Sequence, residues 1–249
     1  MQTEWDYTAL ADAYLKRPDY SDVAIDAMLK IAGAPAGAIV CDVGAGVAHL
    51  TLQLAARGFV VNAVEPNIAM RTNGVMRTSS LANVTWSEGT GEATRQEAGR
   101  FDLVTFGSSF NVCDRAAALE ESARILKPLG WFACMWNHRD LEDSIQSRIE
   151  ATIRKRIPAY GYGTRREDQT TVIRESSNFG PVVRLAGDVI HLQNIDDCVE
   201  AWRSHATLER QAEKAFASII ADIQAYLKSL EVATIEVPYT THIWMAQRA

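Results

Sequence analysis

The sequence is short of several things, and each shortage removes a class of protein. Its four cysteines, Cys41, Cys113, Cys134 and Cys198, form no Cys-x-x-Cys pair. Neither a disulfide framework nor a thiolate metal site is expected, and three of the four sit in apolar strand or strand-edge contexts as reduced, structural thiols. No basic-then-apolar leader opens the chain, and no apolar run reaches the ~20 residues needed to span a bilayer. A cytoplasmic protein with no membrane partner is the expectation. Positive charge is also scarce: 25 Lys and Arg against 31 Asp and Glu leave a formal net charge of −6. Phosphate backbones require a basic footprint, so a general nucleic-acid binder is excluded. There is no Gly-x-Ser-x-Gly elbow and no His/Cys cluster at metal-ligand spacing, so no serine nucleophile and no metal are expected. Low-complexity tracts and internal repeats are absent too. With 249 residues, 47% of them hydrophobic, one α/β domain with an elaboration fits.

What is present centres on one stretch. Ala38 to Val43 is an apolar run of strand length, followed by Gly44-Ala45-Gly46 and then an apolar-periodic segment, Leu50, Leu54 and Ala55, that stops at Gly58. Strand, glycine turn and helix make a cradle: glycines admit a ligand close to the backbone, and the helix N-terminus offers N–H groups to an anionic group. A dinucleotide fingerprint would place its third small residue at position 49, which is His49; here it comes one earlier, at Ala48. A second strand, Val60 to Val64, ends in Glu65-Pro66-Asn67, with the acid about twenty residues after the glycines and placed to accept from ribose hydroxyls.

The pattern Asp42-x-Gly44-x-Gly46-x-Ala48 resembles motif I of the class I S-adenosylmethionine (SAM) methyltransferases, with Ala48 where that family usually has glycine. Arg124-Ile125-Leu126-Lys127-Pro128 before Gly130 and an aromatic strand, Trp131 to Trp136, is similar to the "type 11" small-molecule methyltransferases of the same superfamily. The resemblance covers residues 38–137. It implies a Rossmann-like, seven-stranded, mostly parallel sheet with helices on both faces and a helical substrate cap. It also implies a methyltransferase of the EC 2.1.1 type using SAM and releasing S-adenosylhomocysteine, with a small-molecule acceptor of the kind met in biosynthesis. A homodimer is the assembly to test. Two alternatives stay open: a SAM-binding protein of this fold performing an elimination or cyclisation, and a dinucleotide-dependent oxidoreductase.

Four segments follow from this. Residues 1–35 form an N-terminal helical lid carrying Trp5, Tyr7, Tyr14, Arg17 and Tyr20; either Tyr14 and Tyr20 cover the cofactor and Arg17 pairs with its carboxylate, or the segment packs on the sheet as an ordinary amphipathic helix. Residues 36–138 form the SAM-binding core, 139–180 a cap insertion, and 181–249 the end of the sheet with further cap helices. Within them a helix should run from Ser21 or Asp22 to Ile31, capped by those residues. The face Leu208, Ala212, Phe216, Ile219, Ile223, Leu227 and Leu230 traces one long helix. The final strand, Thr234 to Gln247, contains Pro238, which requires an edge or a bulge.

The cofactor set implied by the resemblance is Tyr14 and Arg17 from the lid, Asp42, Gly44, Ala45 and Gly46 from the cradle, Glu65, Pro66 and Met70 from the second strand and its helix, and Ser108. Thr90, Gly91 and Glu92 match the adenine-edge loop, with a plain Gly-rich turn as the alternative. Acceptor contacts are expected from Ser109 and Asn111, from the glycine-hinged loop Tyr160, Tyr162, Arg165 and Arg166, and from His205. Methyl transfer is an in-line displacement from an activated donor, so a base is needed only for a hydroxyl or an acidic carbon. His138, at the tip of the fifth strand, is the first candidate base, with a structural hydrogen-bonder as its alternative and His49 and His205 as rivals. Asn137-His138-Arg139-Asp140 mimics a kinase catalytic loop, but no Asp-Phe-Gly follows and the downstream metal position lacks Asn.

Overall fold

A computed structural model describes residues 7–249; Trp5, assigned above to the lid, lies outside the described residues. The core is a seven-stranded sheet in the order β3-β2-β1-β4-β5-β7-β6. Its strands are β1 (Ile39–Val43), β2 (Val60–Val64), β3 (Val84–Ser87), β4 (Phe101–Gly107), β5 (Leu126–Arg139), β6 (Phe179–Asn194) and β7 (Thr234–Arg248). The first five pair in parallel, and β7 runs antiparallel to both β5 and β6. The helices are α1 (Ala11–Tyr14), α2 (Asp22–Ala32), α3 (His49–Ala56), α4 (Ile68–Thr78), α5 (Arg115–Ile125), α6 (Ser144–Arg156), α7 (Thr170–Glu175), α8 (Ile195–Arg203), α9 (Ala206–Ala212) and α10 (Phe216–Lys228). This is the α/β sheet, mostly parallel and capped, that the motifs imply.

Alternation along the strands sorts side chains into two layers. In β5, Phe132, Cys134 and Trp136 join the core under α5, with Leu119 and Ile125 of that helix. Ala133 and Met135 face the opposite core with Ile25 and Met28 of α2 and Leu50 and Leu54 of α3. A third apolar core belongs to the cap: α6, α8, α9 and α10 close over Ile235, Val237 and Tyr239, the first turn-out of β7 from the sheet. Bulky residues buried on both faces explain why the central strands read as continuous apolar runs.

Several expectations need correction. The long helix over 208–230 is two helices, separated by a 3₁₀ turn at Glu213–Ala215 where Glu213 takes φ +47°; the face continues across the break because both helices cover one cap core. β5 begins at Leu126, not Trp131, since Leu126 already pairs with Phe101 before a bulge. Ser21 does not cap α2 through its hydroxyl, which donates to the Asp188 carbonyl at 3.1 Å instead, stapling α2 to β6. Pro238 lies on neither an edge strand nor a bulge: β7 is flanked by β5 and β6, and Pro238 pairs with Ile190 of β6. It is tolerated because on the other side its carbonyl accepts from Asp140, where the pairing with β5 has ended, so no ladder bond is lost.

Candidate active site

The turn after β1 is built by close approach. Gly44 has φ +66°, and a Cβ there would lie 2.4 Å from the Ser109 Cβ of the β4 loop. Gly46 (φ +57°) and Ala48 (φ +76°) are also left-handed. That explains why a small residue is wanted at position 48. The amides of the turn are committed within the protein. Gly44 N and Ala45 N both donate to the Val64 carbonyl, at 2.8 and 3.1 Å, and Gly46 N donates to Glu65 Oε2 at 2.9 Å. The turn therefore offers no free N–H of its own and presents backbone surface beside a carboxylate; the helix N-terminus expected to face an anion is that of α3, which begins at His49.

Two buried acids brace this turn. Asp42 accepts from Thr51 Oγ1 at 2.6 Å and from Thr105 Oγ1 at 3.0 Å, tying β1 to α3 and β4; burial pushes its carboxyl up to about 6 despite those bonds. Glu65 accepts from Gly46 N and, through Oε1, from Asn67 N at 2.8 Å. Burial outweighs both bonds and lifts it to about 7. Asn67 in turn caps α4 by accepting from Met70 N.

A cavity of about 730 Å³ opens above the carboxyl ends of the parallel strands. It is lined by every residue assigned above to the cofactor: Tyr14 and Arg17, Asp42 and Gly44 to Gly46, Glu65, Pro66 and Met70, Thr90 to Glu92, and Ser108. Ser109, Asn111, His138, Tyr162, Arg165, Arg166 and His205 line it too. Tyr160 does not. It is buried in the cap core against Tyr162, with ring centroids 5.3 Å apart, so its assignment to the acceptor is corrected. The β-strand tips and the cap converge because the cap helices are inserted after β5 and before β7, next to the strand ends that carry the cradle.

The hydrogen bonds limit what several of these groups can do. Ser109 Oγ donates to the Val43 carbonyl at 2.6 Å, so its hydroxyl holds the β4 loop to β1. Asn111 Oδ1 accepts from Trp136 Nε1 at 2.9 Å, which fixes the amide and leaves its Nδ2 as the free donor. Ser108 Oγ meets the Tyr20 hydroxyl at 3.0 Å beneath Gly107. Glu92 accepts from Asp114 N at 2.7 Å.

The three candidate bases separate clearly. Both ring nitrogens of His49 face acceptors, Nδ1 at 2.8 Å from Asp19 Oδ1 and Nε2 at 2.9 Å from the Tyr14 carbonyl. With both ring nitrogens engaged it clasps the lid to α3, so it is withdrawn as a base. His205 Nδ1 accepts from Leu208 N, capping α9, and burial with Arg165, Arg139 and Arg17 nearby holds its pKa well below the usual imidazole value. It is a neutral donor through Nε2 and not a base. His138 Nε2 must donate to the Arg165 carbonyl at 2.9 Å, which leaves Nδ1 with its lone pair. Burial pushes this imidazole down to about 4. His138 remains neutral at pH 7, and as a base it is a weak one.

Sequence reading missed further lining residues. Arg139 reaches the cavity from the tip of β5, as does Tyr239 from β7. Arg139 Nε donates to the Tyr239 hydroxyl at 2.9 Å, and its guanidinium lies 3.8 Å from the Trp202 ring centroid. Adjacency to His138 at a strand's carboxyl end was the available signal; the kinase-like string around it drew attention elsewhere.

Strand order, the glycine turn with its acid, and a cap over the strand ends define a class I methyltransferase fold. Residues 41–134 match the family model described as a methyltransferase domain. Uncharacterised methyltransferases of Mycobacterium tuberculosis and Mycobacterium bovis are 36% identical over 124 residues, 50% of this chain and 48% of theirs; the match spans about half the length of those relatives. A candidate type II methyltransferase from Anaeromyxobacter dehalogenans aligns with a TM-score of 0.69 at 17% identity, covering 93% of this chain and 97% of its own. Phosphoethanolamine N-methyltransferase 2 of Haemonchus contortus, solved with SAM, aligns with a TM-score of 0.56 at 16% identity over 99% of this chain and 58% of its own. Residues 41–134 thus carry the methyltransferase-domain signature, and the chain has the fold of these solved methyltransferases.

Proposed function

We propose that this chain is a methyltransferase that uses SAM and passes the methyl group to a small-molecule acceptor held beneath the cap. The observation that carries the reading is the single cavity joining the Gly44–Gly46 turn and Glu65 to the cap residues Tyr162, Arg165 and His205. Its volume lies in the upper part of the range for small-molecule sites, which suits a nucleoside ligand beside a second molecule.

The residues present fit SAM. Glu65 is a buried carboxylate on the cavity wall, an acceptor for ribose hydroxyls. Gly46 leaves the wall of the turn bare of side chain. Met70 and the Thr90–Glu92 loop flank an adenine in this reading, and Tyr14 and Arg17 close the lid over the methionine portion, with Arg17 facing its carboxylate. When bound, SAM supplies a methyl group already activated by a sulfonium. The chain's task is then to align the acceptor and exclude water. Asn111 Nδ2 and His205 Nε2 donate hydrogen bonds towards the acceptor side, and the cap helices keep solvent out. His138 Nδ1 is the one imidazole lone pair left to take a proton, and its low basicity supports a reaction in which alignment dominates. The dinucleotide alternative is disfavoured because Gly44, Ala45 and Gly46 have no amide free for a pyrophosphate.

The setting proposed is a cytoplasmic enzyme with the lid at 7–35 and the cap at 139–180 and 195–233. Among the described residues no helix is long and apolar enough to cross a membrane. Mass spectrometry of a reaction with SAM and an acceptor panel tests the proposal. S-adenosylhomocysteine in equal amount to a +14 product supports it. SAM consumed without any +14 product points to elimination or cyclisation on the same scaffold.

A further inference from the structure

Charge is segregated across the cavity. At the cradle end the acids are satisfied by protein donors: Asp42 by two threonines, Glu65 by two amides, Glu92 by Asp114 N, and Asp114 by Ala116 N and Ala117 N. At the cap end stand four half-buried arginines, Arg17, Arg139, Arg165 and Arg166. Among the described residues none of the four has a carboxylate partner. Nine other arginines of the chain have one.

Arg17, Arg139 and Arg166 are instead held in place by neutral groups. Arg17 donates to Ser204 Oγ at 3.1 Å and to the Ser204 carbonyl at 2.6 Å, over the Tyr14 ring. Arg166 Nη2 donates to the Arg139 carbonyl at 2.8 Å and lies over the Tyr162 ring at 4.5 Å. Arg139 rests on Trp202 and Tyr239. Arg165 Nη1 meets the N–H of His205 Nε2 at 3.4 Å, donor against donor, so that contact satisfies neither. Glu150, an acid whose charge reaches Arg166, is already occupied by Arg154 at 2.9 Å and by the Tyr162 hydroxyl at 2.7 Å. His205, in the midst of this group, is kept uncharged.

Gathering like charges away from water is unfavourable unless a counter-charge arrives. Here Arg139 and Arg166 are oriented by stacking and by neutral oxygens, while the N–H groups Nη1 and Nη2 of Arg139, all those of Arg165, and Nε and Nη1 of Arg166 have no protein acceptor among the described residues. Prepositioned guanidinium forks with free N–H groups are the usual receptor for carboxylate and phosphate oxygens. The methionine carboxylate of SAM accounts for one such partner, through Arg17 on the lid. Three arginines remain.

We propose that Arg139, Arg165 and Arg166 form an oxyanion-binding subsite, so that the methyl acceptor is a small molecule carrying a phosphate or a carboxylate. This rests on the methyltransferase reading for the word acceptor, but the subsite itself does not. The anionic group anchors one end of the molecule under the cap, and the atom to be methylated lies towards the cradle.

The test uses the full chain, loaded with S-adenosylhomocysteine and titrated calorimetrically with inorganic phosphate, pyrophosphate and succinate at constant ionic strength in chloride. Saturable binding of at least one of these is expected. R165Q/R166Q should weaken it at least tenfold while leaving S-adenosylhomocysteine affinity within twofold. R166K, which keeps the charge and loses the fork, should fall between and guards against a folding artefact. R203Q, at an exposed arginine paired with Glu200, should bind as the parent does. Phosphate or pyrophosphate binding without succinate assigns a phosphorylated acceptor, and the reverse a carboxylated one. No anion bound by the parent, undiminished binding in R165Q/R166Q, or direct competition between anion and S-adenosylhomocysteine would each overturn the proposal. Failure of S-adenosylhomocysteine to bind would instead remove the methyltransferase reading, and titration of the unloaded protein would still decide the subsite.

Discussion

Glu65 Oε2 accepts from the Gly46 amide across 2.9 Å, joining the tip of β2 to the turn after β1. The same carboxylate is lifted to about 7 by burial, so the cradle carries a titratable group in its working range. Ribose hydroxyls donate to the ionised form, so SAM should bind the deprotonated protein better. Affinity should therefore be full above pH 7 and fall as pH drops, by up to about tenfold per unit. E65A should cost about 1–3 kcal/mol of binding and flatten that dependence. Calorimetry between pH 5.5 and 8.5 checks both; a level profile in the parent would refute the role given to Glu65.

The imidazole of His138 is neutral throughout the ordinary pH range, because burial depresses it to about 4. An isolated imidazole would produce a limb in the pH–rate profile near pH 6.5. With SAM saturating, so that Glu65 does not limit the rate, none is expected in kcat between pH 5.5 and 8. H138N keeps a donor for the Arg165 carbonyl and should lower kcat by less than about tenfold. A loss of about 10²–10⁴-fold would instead mark His138 as the base.

The lid is fastened by His49, which bridges Asp19 and the Tyr14 carbonyl. H49A should release it, weakening SAM binding by about 1–2 kcal/mol, or roughly 5–30-fold, through a faster dissociation rate. Stopped-flow displacement would reveal this. An unchanged dissociation rate would mean that the lid closes without the clasp.

Position 48 tolerates alanine because two effects offset one another. A left-handed alanine costs about 1–2 kcal/mol, while the buried methyl returns about 0.8 kcal/mol and glycine would add chain entropy to the unfolded state. A48G should therefore change unfolding stability by less than about 1 kcal/mol. G44A has no such compensation, since its Cβ would fall 2.4 Å from that of Ser109, and it should destabilise by about 2 kcal/mol or more. Urea denaturation of both variants distinguishes the two positions.

Local chemistry was legible in the amino-acid sequence. Apolar runs located β1 and β2, the turn glycines announced left-handed backbone, and the acid at position 65 announced a wall of the cavity, because each of these depends on neighbours within a few residues. Motif spacing carried the superfamily, since the cradle is one contiguous strand–turn–helix. The tertiary structure decided everything that required distant segments to meet. It spent the turn's amides on Val64 and Glu65, turned His49 from a candidate base into a clasp, buried His205 among arginines, moved Tyr160 into the cap core, and brought Arg139 beside Arg165 and Arg166. Hydrogen-bond partners and burial set a side chain's protonation and free donors, and both are properties of packing between separate segments, as for His49 with Asp19, 30 residues apart, or Arg17 with Ser204, 187 apart, which no local pattern encodes.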